Sequence, residues 1–208
     1  MKNIYTLDSL CYKINEKLII KNISCKIKFN TITNIKGLNG AGKTTLLKLI
    51  YGLYKPSSGN IIRHFDTDKI RMSYLFQNSV LLNRSIKDNL NHALYCQDVD
   101  RARWDKIIID TVRKFNLEHL LRLNIKSLSG GEFQMLMILR SVLNSPNLLF
   151  FDEPTNNLDI HNIEIVANII KSIHMNNGTI LLACHDKNLL DMIKYDQISL
   201  DEGKVLND

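Results

Sequence analysis

The octapeptide Gly37-Leu38-Asn39-Gly40-Ala41-Gly42-Lys43-Thr44 follows the pattern G-x-x-x-x-G-K-[ST]. Such a loop works only where a strand delivers it and a helix leaves it, because the helix N-terminus supplies part of the positive field that holds an anion. Both flanks fit: residues 31–35, Thr-Ile-Thr-Asn-Ile, read as a strand and residues 43–51 as a helix. In that setting the glycines let backbone N–H groups converge on the α- and β-phosphates of a nucleoside triphosphate. Lys43 then reaches the β/γ oxygens and the Thr44 hydroxyl takes a Mg2+ position. Leu38, Asn39, Ala41 and Thr45 complete the cradle.

The rest of the chain supplies a sheet for that loop. Residues 5–12, 18–20 and 23–29 read as short strands, the last alternating apolar with polar as a half-buried antiparallel strand does. From about residue 98 to 123 the apolar residues Trp104, Ile107, Ile108, Val112 and Phe115 recur at helical spacing, with Asp100 as N-cap. Residues 148–151 and 180–184 are short apolar runs of the kind found in parallel strands buried on both faces, and a helical pattern covers 160–175 between them. Strands alternating with helices predict an open α/β sheet whose ligand sits at the strand carboxyl ends.

At 208 residues the chain accommodates one domain, or one domain with a small subdomain. The net charge of +6 comes from scattered Lys and Arg with no run of five like charges, so solvated basic faces are expected and a nucleic-acid partner is not. Cys11, Cys25, Cys96 and Cys184 form no C-x-x-C pair and read as reduced thiols. Asp8 interrupts the apolar region that a signal peptide needs, and no stretch approaches 18 apolar residues. A membrane role is therefore expected only through a partner.

Asp152-Glu153 closes the apolar run 148–151. An acid at the end of a buried strand beside a phosphate loop orients Mg2+, and the next carboxylate polarises the attacking water. Leu128-Ser129-Gly130-Gly131-Glu132, ahead of the helical run 133–143, offers a helix N-terminus to a second anion. With Asp152-Glu153-Pro154-Thr155-Asn156-Asn157-Leu158-Asp159 downstream, the chain from about residue 7 to 205 resembles the ATP-binding cassette (ABC) ATPases.

The resemblance implies an α/β P-loop NTPase cassette core with an antiparallel β subdomain and a helical subdomain: core residues 1–77 and 129–208, helical subdomain 78–128. It implies an ATPase, with ATP and Mg2+ as cofactors. Glu153 takes the general-base position, and Lys43, Gln77 and His185 the other catalytic ones. Thr44, Gln77 and Asp152 fall on the metal positions. Tyr12 falls on the aromatic that stacks on adenine, and Ser129, Gly130, Gly131, Glu132 and Asp159 on the elements that meet the nucleotide across a head-to-tail dimer. Met135 and Cys184 depart from the family wording, and Met135 is expected to weaken a polar contact behind the signature helix.

The implied partners are a second cassette, identical or not, and integral membrane permease subunits whose coupling helix enters a groove beside Gln77, with a solute-binding protein in the complex. The expected location is peripheral, on the cytoplasmic face of the inner or plasma membrane. The chain reads as a bare cassette without fused membrane or regulatory domain. The wording of residues 76–86 resembles importers of oxyanions such as tungstate, molybdate or phosphate. The competing readings are a soluble cassette acting on ribosomes or DNA, and the ATPase of a two-component exporter.

Overall fold

The computed structural model describes residues 2–206. Its main sheet has six strands in the order β5-β6-β7-β3-β8-β9: β3 (Ile32–Lys36), β5 (Met72–Leu75), β6 (Leu148–Asp152), β7 (Thr179–Ala183), β8 (Asp196–Asp201) and β9 (Lys204–Val205). All neighbours run parallel except β9, which returns antiparallel to β8. A smaller antiparallel sheet, β2-β1-β4, is built from β1 (Asn3–Ile14), β2 (Lys17–Lys28) and β4 (Ser58–Arg63).

β6 and β7 are apolar over most of their length because both faces are covered. In β6, Leu149 and Phe151 point into one core while Leu148 and Phe150 point into the other. β7 repeats the division, with Ile180 and Leu182 on one side and Leu181 and Ala183 on the other. The small sheet and α1 (Lys43–Tyr51) cover one face, through Leu46, Leu47 and Ile50 among others. The helices α2 (Ile86–Cys96), α3 (Trp104–Lys114), α4 (Gly130–Val142), α5 (Ile160–Met175) and α6 (Lys187–Met192) pack on the other. Each fully buried Leu, Ile or Phe contributes roughly 1.5–3 kcal/mol.

Three expectations change in detail. The strand pieces 18–20 and 23–29 are one strand, β2, bent where its register to β1 shifts and Asn22 takes φ 55°. The helical pattern from 98 to 123 is not continuous: Asp100 caps a short turn over 101–103, α3 runs only to Lys114, and Asn116 at φ 57° ends it. Asn adopts that left-handed conformation more readily than other side chains, which makes it a stop signal. Finally, α4 begins at Gly130, three residues before the expected start, because Ser129 and Glu132 form a capping box.

Since β3, β5, β6 and β7 are parallel neighbours in one sheet, the residues that follow them emerge at one edge. Those residues are the glycine-rich loop, Gln77, Glu153 and His185. The topology therefore gathers four distant sequence segments at the carboxyl ends of the strands, where open α/β sheets bind ligands.

Candidate functional site

The loop after β3 closes tightly on the sheet. A side chain at Gly37 would collide with the carbonyl oxygen of Leu200, and Gly40 and Gly42 adopt φ of 85° and 104°. Lys43 enters α1 with its amine folded back into the loop, donating to the carbonyl oxygens of Gly37 at 2.9 Å and Leu38 at 3.3 Å. Its Nζ also lies 3.9 Å from Glu153 Oε1, and both side chains are buried. The ammonium is thus held in the loop by two carbonyl oxygens and a carboxylate, and its three donors can turn from them to an anion.

Thr44 Oγ1 donates to Asp152 Oδ1 at 2.9 Å, and Tyr74 OH donates to Asp152 Oδ2 at 3.3 Å. Burial raises the Asp152 pKa, while these two hydrogen bonds and Lys48 pull it down. Burial also raises the Tyr74 pKa, with the negative charge of Asp152 adding to it. Thr44 and Asp152 thus already face each other as two oxygen donors of the type a hard divalent cation uses.

Glu153 is buried and holds φ 52°, a conformation rare outside glycine and asparagine. Its N–H donates to the Ala183 carbonyl at 2.9 Å. Oε2 lies 2.9 Å from His185 Nδ1, yet no donor aligns with it in a hydrogen bond. A buried carboxylate oxygen left without an aligned donor suits a ligand water. The His185 side chain, 68% exposed, leans over it from the end of β7.

A cleft of about 260 Å3 joins Asn39, Gly40, Lys43, Thr45, Gln77 and Glu153. The structure thus brings Gln77, on the segment after β5, to the phosphate loop. Leu38 is 79% exposed and points away, while Ala41 is buried in the core. Tyr12 is not among the cleft residues: its ring stacks on Tyr54 with centroids 5.3 Å apart and planes 5° from parallel. The apolar side chain that does line the cleft is Ile19 of β2.

Ser129 and Glu132 are occupied with each other. Ser129 N–H donates to Glu132 Oε2 at 2.8 Å, and Glu132 N–H donates to Ser129 Oγ at 3.2 Å. The hydrogen bonds from Ser129 lower the Glu132 pKa. Gly131 lies against the Asn157 carbonyl, where an added Cβ would sit 3.1 Å away. Asp159 caps α5 by accepting from Asn162 N–H at 2.8 Å. None of Ser129, Gly130, Gly131, Glu132 or Asp159 lines the cleft around Lys43. One chain therefore presents two separate sets of groups, and Ser129 and Gly130 are exposed.

Two departures are resolved by burial. Met135 is 2% exposed in the core beneath α4, so it packs among apolar neighbours where a weakened polar contact was expected. Cys184 is also buried, its thiol pushed up to about 11 by desolvation. Two buried amides beside the site belong to no motif read from the sequence. Gln134 Nε2 donates to the Pro154 carbonyl at 2.9 Å, and Asn34 bonds the backbone of Cys184. An Asn between Ile32 and Ile35 in the strand Ile32–Lys36 is the visible signal for the second.

Among known proteins, the family described as "ABC transporter" matches residues 20–156. The zinc import ATP-binding protein ZnuC of Wigglesworthia glossinidia brevipalpis is 36% identical over 204 residues, covering 95% of this chain and 82% of its own length. The lipoprotein-releasing system ATP-binding protein LolD of Buchnera aphidicola subsp. Acyrthosiphon pisum is 33% identical over 189 residues, covering 84% and 83%. The dimeric ATP-binding cassette MJ0796, solved in a post-hydrolysis state with ADP and Pi, superposes with a TM-score of 0.83 at 25% identity over 98% of this chain and 97% of that one.

Proposed function

This chain belongs to the ABC transporter family as one of its ATPases, and on that premise we propose that it works as a head-to-tail pair to power a separate membrane permease. The observation that carries the reading is Glu153: a buried carboxylate with one oxygen near Lys43 and the other beside His185 without an aligned donor. In the proposed reaction Lys43 leaves the Gly37 and Leu38 carbonyls for the β/γ oxygens of ATP. Glu153 accepts the proton of the attacking water, a role worth about 10²- to 10⁴-fold. His185 and Gln77 orient that water and the γ-phosphate. The residues suited to Mg2+ are Thr44 and Asp152, with Gln77 nearby, and the cation would neutralise charge on the transferring phosphoryl group.

Because Ser129 and Gly130 are exposed and apart from the Lys43 cleft, we assign them to the nucleotide held by the opposite cassette. Asp159 and the turn before it then face the partner. That MJ0796, a cassette of this fold, is dimeric with ADP and Pi supports the pairing of two cassettes. Closure around ATP and opening after hydrolysis is the proposed power stroke.

Among the described residues no helix is long and apolar enough to cross a membrane. A groove of about 520 Å3 beside the segment after β5, lined by Phe76, Val80, Met137 and Arg140, is the proposed seat of a permease helix. Val80 is 81% exposed there, an apolar side chain without cover. The proposed location is peripheral, on the cytoplasmic face of the membrane, through that permease. The oxyanion expectation has no counterpart in the relatives named above. With ZnuC covering nearly the whole chain, the proposed cargo becomes a divalent metal ion such as zinc, delivered by a solute-binding protein. LolD supports a second reading, lipoprotein release. Metal content of a deletion strain decides between them: zinc shortage restored by the parent gene and not by its Glu153→Gln variant supports import. Normal zinc with lipoproteins retained at the inner membrane supports release.

A further inference from the structure

His185 poses a positional problem. Its side chain is 68% exposed, so packing cannot hold the ring 2.9 Å from Glu153 Oε2. The position has to come from the backbone on either side. After it, Asp186 caps α6, accepting from the N–H groups of Asn188 and Leu189. Before it, the ladder of β7 ends at Ala183, whose carbonyl is taken by Glu153 N–H. Cys184 is therefore beyond the sheet: its thiol meets Thr155 Oγ1 at 3.8 Å, and its backbone is held by one side chain.

That side chain is Asn34, fully buried in β3 and three residues before Gly37, the start of the phosphate loop. Its Oδ1 accepts from Cys184 N–H at 3.1 Å, and its Nδ2 donates to the Cys184 carbonyl at 3.2 Å. Both functions of the amide are spent on one residue, which extends the β3–β7 pairing past the point where backbone could do so. The Asn34 backbone meanwhile pairs in register with Leu182 on one side and Gln197 on the other. An apolar residue in its place would leave the N–H and C=O of Cys184 buried without partners.

We propose that Asn34 is a positioning residue that sets the ring of His185 over Glu153 by clamping the Cys184 peptide to the phosphate-loop strand. The proposal rests on the reading of Glu153 and His185 as the pair that acts at the γ-phosphate. Asn34 thereby ties the phosphate loop and the His185 loop into one rigid unit, so that nucleotide gripped by the first is met by the second at a fixed distance.

The test is a double-mutant cycle with an activity-independent arm. Asn34→Leu is expected to lower kcat roughly 10- to 100-fold with KM for ATP unchanged, and to add no further loss in a His185→Ala background. In NMR spectra of the chain without nucleotide, Glu153→Gln should shift the His185 imidazole signals, and Asn34→Leu should abolish that response. Asn34→Asp, which keeps the acceptor and lacks the donor, should fall between, and it carries the test if the leucine variant does not fold. Multiplying losses in the cycle, or a His185 signal that responds to Glu153→Gln as fully as in the parent in either Asn34 variant, overturns the proposal. A parent chain without ATPase activity would instead sink the function proposed above, leaving the NMR arm to decide on Asn34.

Discussion

Gln134 and Pro154 are joined across the molecule: the side-chain amide of Gln134 on α4 donates to the Pro154 carbonyl at 2.9 Å, out of contact with water. The bond connects the helix that Ser129 caps to the residue directly after Glu153. It gives the signature segment a rigid path to the proposed base within one chain, and Gly131 packed against the Asn157 carbonyl adds a second contact along the same turn.

Replacing Gln134 with Leu should leave the Pro154 carbonyl buried and unsatisfied, at a cost of roughly 1–3 kcal/mol in stability. Urea denaturation measures that loss. Glu153 sits at φ 52° and relies on its neighbours to stay there, so kcat should fall while nucleotide affinity at the Lys43 loop is kept. Parent-like kcat in a destabilised variant would confine Gln134 to a packing role.

Glu153→Gln should retain ATP binding and slow hydrolysis about 10²- to 10⁴-fold, since the amide keeps the shape and lacks the basic lone pair. With the bridge no longer cleaved, a dimer should accumulate in Mg-ATP. Size-exclusion chromatography reads this out. A variant that stays monomeric and turns over at the parent rate would remove Glu153 from the base role.

Lys43→Ala should abolish tight nucleotide binding, because Lys43 is the cation folded into the loop beside the Gly37 and Leu38 carbonyls. The loss should appear in the dissociation constant of a fluorescent ATP analogue, before any effect on chemistry. Unchanged affinity would mean that the phosphates bind elsewhere.

The large features were legible because each rested on a local rule. The glycine loop, the helix at Lys43–Tyr51 and the two-sided apolar strands β6 and β7 follow from spacing and periodicity alone. What escaped was set by contacts between distant segments. Asn34 and Gln134 are ordinary amides until the fold brings Cys184 and Pro154 to them. Tyr12 falls on the adenine-stacking position through the family wording, and only long-range packing shows that Tyr54, just beyond α1, folds back over one face of its ring while Ile19 lines the cleft.

The stack of Tyr12 on Tyr54 sets what Tyr12→Ala should do. Loss of the parallel stack on Tyr54 should destabilise the chain, by about 0.5–1.5 kcal/mol for the aromatic pair beyond its buried area. ATP affinity should change little. Ile19→Ser should show the opposite pattern, weaker ATP binding at near-parent stability. Thermal melts and nucleotide titrations on both variants separate the two roles, and a large affinity loss confined to Tyr12→Ala would restore Tyr12 as the base platform.

Asp152 gives a pH dependence whose sign can be worked out. Burial raises its pKa above 3.8, the value of a free side chain, although Thr44 and Tyr74 oppose the shift. The folded chain thus binds this proton more tightly than the unfolded chain. The resulting stability is fully present below the unfolded pKa and is lost as pH rises through the folded one. Asp152→Asn removes that dependence, so without nucleotide the variant should gain on the parent as pH rises from 4 towards neutrality. Mg-ATP should reverse the ranking, because the cation rewards a charged Asp152 beside Thr44 and gives an amide much less. Melting temperatures across that pH range, with and without Mg-ATP, check both signs. A variant that is stabilised by Mg-ATP as strongly as the parent would show that Asp152 is not a ligand of the cation.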